Sequence, residues 1–356
     1  MTLFWIASLI SFAVACVAIA FLRSLAPRLS LIDRPGGRKM HDVDVPVVGG
    51  IGIFLGMFVG IGFLPEGARP DIQFVIVAAI FVVIGLVDDR VGLSPRFRLI
   101  AQLTCAVWLA VDAGLSARYL GDFGASSPAI LYEFPAIVLT AVLVAGGVNA
   151  FNMVDGIDGL AAALGLIAAA SLAHLAMHAG LAVPLGVATA ISGALAAFLV
   201  FNFPLGFNRS IRCFMGDAGS LLLGFCMAWL MLSISQAPAT SVQPVSLLFL
   251  VAIPIFDLLW VFGHRLARRQ SPFRADNSHL HHLLILAGAS RLQSLLVLTA
   301  LATILAVIGM FLSSSGVSAF FLSAIFVVSG FSCVLLVRTA SIWISWVSAA
   351  NVNKHS

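Results

Sequence analysis

The chain has 356 residues, of which 61% are hydrophobic and only 10% charged, with a mean hydropathy of +1.10. That composition excludes a soluble globular domain and fits an integral membrane protein. The net charge of +4 and a sequence pI near 9.0 call for no nucleic-acid partner, because basic residues of membrane proteins gather in loops that face the anionic cytoplasmic leaflet.

A bilayer core about 30 Å thick needs roughly 20 apolar residues per helix. Eleven such stretches are predicted, at 3–22, 46–64, 71–87, 98–115, 134–150, 159–178, 181–203, 218–236, 244–263, 292–313 and 316–337. The fold class expected is therefore an all-α polytopic membrane protein. In the first stretch Arg23 and Arg28 follow the apolar run, whereas a signal peptide has its basic residues before it. A retained helix with its N-terminus outside the cell is expected. Alternating from there, the inward segments hold Arg23, Arg28, Arg34, Arg38 and Lys39, then Arg90, Arg96 and Arg98, then Arg209 and Arg212. Arg265, Arg268, Arg269, Arg274, Arg291, Arg338 and Lys354 follow, making seventeen, against Arg69 and Arg118 outside. This asymmetry supports an odd number of spans and a C-terminus inside. One integral membrane domain over 1–356 is expected, with 338–356 as a cytoplasmic tail. The five cysteines show no paired spacing and read as packing residues.

The carboxylates sort to the same face. "GLVDDRVGLSPRFR" (85–98) puts Asp88 and Asp89 at the C-terminal end of the third span, where the helix dipole is already negative. Such a breach of a local rule points either to neutralising cations, Arg90 and Arg96 being nearest, or to a metal and phosphate site. "NMVDGIDGL" (152–160) sets Asp155 and Asp158 three apart, on one face of a helix if helical, after Asn149 and Asn152. A helix starting near Gly159 would offer N–H groups to phosphate oxygens, with Asp158 as a plain N-cap the alternative. "FNRSIRCFMGDAGS" (207–220) places Asn208, Arg209 and Arg212 before Asp217. Asp217 reads either as an N-cap or as a Mg²⁺ ligand whose remaining partners are substrate phosphates. Asp257, in "IPIFDLLW", lies inside the ninth span, where an ionisable group costs roughly 2.5 kcal/mol or more unless paired or functional. "SPFRADNSHLHHLL" (271–284) carries His279, His281 and His282. A phosphate or substrate contact suits them better than zinc, which wants a tetrahedral set of three or four ligands.

In order along the chain, "RPGGRKMHDVDVPVVGGIG", "GLVDDR", "NAFNMVDGIDGL", "FNRSIRCFMGDAGS" and "HLHH" resemble the polyprenyl-phosphate N-acetylhexosamine-1-phosphate transferases. The nearest branch is the bacterial undecaprenyl-phosphate N-acetylglucosaminyl-1-phosphate transferases, which start O-antigen, common-antigen or teichoic-acid linkage assembly. In the sibling phospho-MurNAc-pentapeptide translocases three His run consecutively, whereas here Leu280 interrupts them.

The resemblance implies an active site at the cytoplasmic face of the bacterial inner membrane. There undecaprenyl phosphate attacks the β-phosphate of a UDP-N-acetylhexosamine, with Mg²⁺, or Mn²⁺ in its place, as cofactor. Asp217 and Asn152 would bind the metal and Asp88 and Asp89 would position or deprotonate the lipid phosphate, positioning being the better fit for Asp88. Asp155 and Asp158 would organise the nucleotide-sugar and metal region. Lys39 and His41 would meet pyrophosphate or lipid head, and Arg265 with the 274–282 loop the sugar nucleotide. Asn277 stands where the branch often has Arg, which weakens any transfer of sugar specificity from that position. The bilayer is the remaining partner and a homodimer the candidate assembly. A transporter or ion-coupled carrier is the rival class, and it predicts acids near the bilayer midplane with inverted repeats.

Overall fold

A computed structural model describes residues 1–34, 44–124, 127–203, 212–238, 240, 242–271 and 278–352, with the backbone alone at 341 and 344–352. The described chain is helical nearly throughout. In order the helices are α1 (Thr2–Leu25), α2 (Gly49–Gly62), α3 (Ile72–Val91), α4 (Pro95–Asp112), α5 (Glu133–Val154), α6 (Leu160–His178) and α7 (Ala182–Asn202). They continue with α8 (Gly216–Ser235), α9 (Pro244–Leu248), α10 (Ala252–Ala267), α11 (Leu280–Leu286), α12 (Arg291–Ser314) and α13 (Ala319–Val352).

Each predicted apolar stretch falls on a helix, α9 and α10 forming one stretch through a 3₁₀ turn at Phe249–Val251. Among the described residues, nine of these segments have the length and apolar composition to cross a bilayer, so the chain is a multi-pass membrane protein. The expected eleven exceed that number by α2 and α4. The first is only 14 residues long, and the second carries Arg96, Arg98 and Asp112 within its 18. Helix α13 also runs on to Val352 without a break at 338, where a tail was expected to begin.

Burial ranks the helices. In α8, 89% of the most apolar stretch is buried, against 22% in α1 and in α13. Helix α8 is the centre of the bundle, packed by α2, α3, α5, α6 and α7. Without a hydrophobic drive between helices in lipid, close approach of small residues provides the attraction. At the α3–α8 seam the approach is extreme: a Cβ on Gly85 would stand 2.2 Å from the Ala218 backbone nitrogen. The outer faces carry exposed apolar side chains such as Trp5, Leu9 and Phe21 on α1 and Val328, Phe331 and Leu335 on α13, as lipid-facing surfaces should.

Two short antiparallel ribbons close the ends. Strand β1 (Ile32–Asp33) pairs with β2 (Val45–Pro46), and Val47 bridges in parallel to Phe214 just before α8. At the opposite end β3 (Tyr119–Gly121) pairs with β4 (Ala129–Ile130), fastened when the Tyr119 N–H donates to Gln236 Oε1 at 2.8 Å. The C-terminal ends of α3, α5 and α7 and the N-terminal ends of α6, α8 and α12 meet at the β1–β2 end. That convergence sets the site.

Candidate active site

A cavity of about 420 Å³ opens at this end, and its polar lining includes Asp33, Asp89, Asn152, Asp155, Asp158, Asn202, Arg212, Asp217, Ser220, His282 and Arg291. The two Asp of α3 have different settings. Asp88 is buried and outside the cavity lining. Its Oδ2 accepts from Arg98 Nη1 at 2.6 Å and its Oδ1 from the Leu93 N–H at 2.6 Å. The neutralising cation is thus Arg98, not the Arg90 or Arg96 nearest in sequence; Arg90 Nη2 donates to the Leu29 carbonyl at 2.6 Å. Asp89 lines the cavity and caps α8. Its Oδ1 accepts from the Asp217 N–H at 2.9 Å and its Oδ2 from the Ala218 N–H at 3.4 Å. The unfavourable placement at the negative end of α3 is offset by the positive end of α8.

Asp217 is therefore not the N-cap but a first-turn residue whose own amide is capped. Its carboxylate is held from two helices. Asn152 Nδ2 donates to Asp217 Oδ1 at 2.5 Å and approaches Ser220 Oγ at 3.0 Å, while Arg98 Nη1 stands 3.7 Å from Asp217 Oδ2. Arg98 thus links Asp88 and Asp217.

The 155–159 turn separates α5 from α6. Asp155 faces the cavity, and its carboxyl is pushed up to about 7, first by burial and then by the charges of Asp217, Asp158 and Asp89. Asp158 is not a helix cap but the ion-pair partner of Arg212, whose guanidinium lies 5.0 Å from the Phe214 ring centroid. Gly159 has φ +79° and donates its N–H to Asn202 Oδ1 at 2.7 Å. Leu160 N–H bonds Ile157 O at 3.1 Å. The Gly159 and Leu160 amides are thus occupied within the protein. Asn202 also donates to Cys213 O at 2.8 Å, tying the end of α7 to the start of α8.

The histidines divide. His282 lines the cavity. His281 is 1% exposed, and neither ring nitrogen has a hydrogen-bond partner among the described residues. Burial holds it well below the usual imidazole range, with His282 and His279 adding to the effect. It packs on the acidic turn so closely that a Cβ on Gly156 would stand 2.1 Å from its Nε2. His279 Nδ1 lies 2.7 Å from Asp257 Oδ2, outside the cavity lining. Two further predicted residues stand apart: Asn149 donates to Gln102 Oε1 at 2.6 Å in the α4–α5 seam, and Arg265 is buried in the last turn of α10. Lys39, His41 and Asn208 fall outside the described residues.

Asn202, Ser220, Asp33 and Arg291 are cavity residues that sequence reasoning did not place in the site. Asn202 gave no signal beyond an Asn at the end of an apolar run. Among the described residues no group of three or more His, Cys, Asp or Glu forms a ready metal cage. One or two carboxylates beside substrate phosphates are the usual setting for Mg²⁺, and Asp217 with Asn152 at the cavity edge fits that pattern.

Fold and site together define a polytopic membrane transferase with an acid-lined cavity where helix ends meet. The chain belongs to glycosyl transferase family 4, whose profile matches residues 72–235. It is 32% identical over 295 residues to the undecaprenyl-phosphate alpha-N-acetylglucosaminyl 1-phosphate transferase of Yersinia pestis, covering 82% of this chain and 80% of that protein. Against the enzyme of the same name from Salmonella typhi identity is 33% over 299 residues, covering 84% and 81%. For that of Pasteurella multocida it is 30% over 304 residues, covering 85% and 84%. The family read from five short motifs is the family these comparisons find.

Proposed function

We propose that the chain transfers N-acetylglucosamine 1-phosphate from UDP-N-acetylglucosamine to undecaprenyl phosphate, with Mg²⁺, at the cytoplasmic face of a bacterial inner membrane. A lipid phosphate oxygen bonds to the β-phosphorus, the bond from that phosphorus to the bridging oxygen breaks, and UMP leaves with the electron pair. A lipid phosphate is already largely dianionic near neutral pH, its second pKa being about 6, so positioning matters more than proton removal. The supporting observation is the gathering of Asp89, Asn152, Asp155, Asp158 and Asp217 with Arg212, His282 and Arg291 around one cavity.

Three phosphates must meet there, and alignment with charge neutralisation is the main catalytic task. Asp217 and Asn152 would hold Mg²⁺, which when bound neutralises and aligns pyrophosphate oxygens. Asp89 holds the start of α8 so that Asp217 keeps its place. Asp88, held by Arg98 and the Leu93 amide, shares Arg98 with Asp217 and is a positioning residue. Asp155 and Asp158 organise the nucleotide-sugar side, where the Asp158 pair orients Arg212 toward phosphate. The carrier reading finds no support in this arrangement, since the acids of the cavity sit at helix ends and Asp257 is closed in a pair with His279.

The test is UMP release by purified protein in detergent with undecaprenyl phosphate, Mg²⁺ and a panel of UDP-sugars. Turnover requiring lipid and Mg²⁺, selective for UDP-N-acetylglucosamine and reduced at least about 100-fold in Asp217→Asn, is expected. Folded wild-type protein that releases no UMP with any sugar would overturn the reading.

A further inference from the structure

One buried ionisable residue inside an apolar helix has no part in the reaction as described so far. Asp257 is 0% exposed and lies in the interior of an apolar helix, where an unpaired carboxylate would be strongly unfavourable. The structure gives it two partners. Oδ1 accepts from the Leu280 N–H at 2.7 Å and Oδ2 lies 2.7 Å from His279 Nδ1. One turn further along the same face of α10, Trp260 Nε1 donates to the Ser278 carbonyl at 2.9 Å. Two anchors on one helix thus grip 278–280, the three residues at which α11 starts. From that fixed start, His281 is driven against Gly156 in the acidic turn and His282 reaches the cavity.

We propose that Asp257 is a positioning residue for the transfer reaction, fixing α11 and the tautomer of His279 so that His282 stands at the nucleotide-sugar side of the cavity. This rests on the function proposed above. A carboxylate only accepts hydrogen bonds, so His279 must present Nδ1–H to it and the imidazole orientation is set. An amide in its place offers one acceptor and one donor. The two partners stand on different oxygens, so in the same geometry the amide NH2 replaces one acceptor, and one partner is lost or the ring reverses its tautomer. Substituting Asn for an Asp that orients a catalytic-site His has this consequence in the serine-protease triad.

The experiment is steady-state UMP release with UDP-N-acetylglucosamine and undecaprenyl phosphate varied separately, for wild type, Asp257→Asn, Asp257→Glu and His279→Ala. Asp257→Asn is expected to raise KM for the nucleotide sugar about tenfold or more while KM for the lipid stays within about twofold. Asp257→Glu, which keeps both acceptors, should recover most of that loss. Combining Asp257→Asn with His279→Ala should cost far less than the product of the two single effects, because both act through one ring. A lipid KM that rises in parallel, or multiplicative single effects, would make Asp257 a general stability residue and overturn the proposal. Unchanged kinetics in Asp257→Asn would do so as well. Should Asp257→Asn fail to accumulate, the nucleotide-sugar KM of Asp257→Glu decides: a value like that of His279→Ala overturns the proposal. A silent wild type instead removes the function reading, and this proposal with it.

Discussion

At Asp155, burial and three neighbouring carboxylates act in the same direction and hold the proton up to about 7. A carboxyl in the unfolded chain titrates near 3.9, so between about pH 4 and 7 the folded state binds more protons than the unfolded one. Stability then falls as pH rises through that window, and the full cost is present above it. Metal-free protein in detergent is therefore expected to melt at a lower temperature at pH 8 than at pH 5.5, with Asp155→Asn narrowing the gap. Melting curves across that range, with a chelator present, check the point; an identical slope in the variant would show that Asp155 is not the source. Mg²⁺ should narrow the same gap in the wild type, because a nearby divalent charge offsets the repulsion that raises the carboxyl. Buried His281 contributes with the opposite sign: its neutral form is favoured by folding, so its contribution is lost as pH falls below the imidazole value of about 6.5.

Between elements, the α3–α8 seam carries the site although neither side of its closest contact lines the cavity. A methyl on Gly85 would meet Ala218 backbone atoms at 2.2 and 2.3 Å, and backbone in the middle of a packed helix pair has no room to yield. Pushing α3 away would draw the Asp89 carboxylate off the Asp217 and Ala218 amides, so Gly85→Ala should lose both stability, by about 1–3 kcal/mol, and most transfer activity. Gly146→Ala, where a Cβ meets nothing within 4 Å, should be close to neutral, and parallel thermal melts and UMP assays of the two decide it. The helices and the acidic ends were legible in the sequence because long apolar runs and misplaced carboxylates both break the statistics of ordinary loops. Partnerships across the bundle were not. Arg98 reaches Asp88 because α4 folds back beside α3, while Arg90 turns to the Leu29 carbonyl and Arg96 is exposed. Arg212 finds Asp158 across 54 residues, and Asn149, one turn from Asn152 on the same face, sits too deep to reach the cavity and meets Gln102 instead. The doublet of His281 and His282 likewise divides only once α11 is docked, one ring buried and the other at the cavity.

For the whole molecule, the cavity and the acids that line it lie at one end of the bundle, and the function proposed above requires that end to face the cytoplasm, the side the positive-inside expectation also favours. The chemistry demands the same side, since nucleotide sugars are made in the cytoplasm and a polar donor does not cross the hydrocarbon core unaided. Tyr132, 88% exposed at the start of α5, marks the opposite end, and exposed Arg96 at the start of α4 marks the cavity end. The five native cysteines are buried or half-buried, so an introduced thiol dominates labelling. In intact cells an impermeant maleimide is expected to label Tyr132→Cys and to spare Arg96→Cys until the membrane is opened. The reverse pattern would place the cavity outside, where no donor pool exists, and would contradict both the charge asymmetry and the transferase reaction. Labelling of both positions in intact cells would mean that the two ends do not lie on opposite sides, and the bundle would then have to be threaded through the membrane differently.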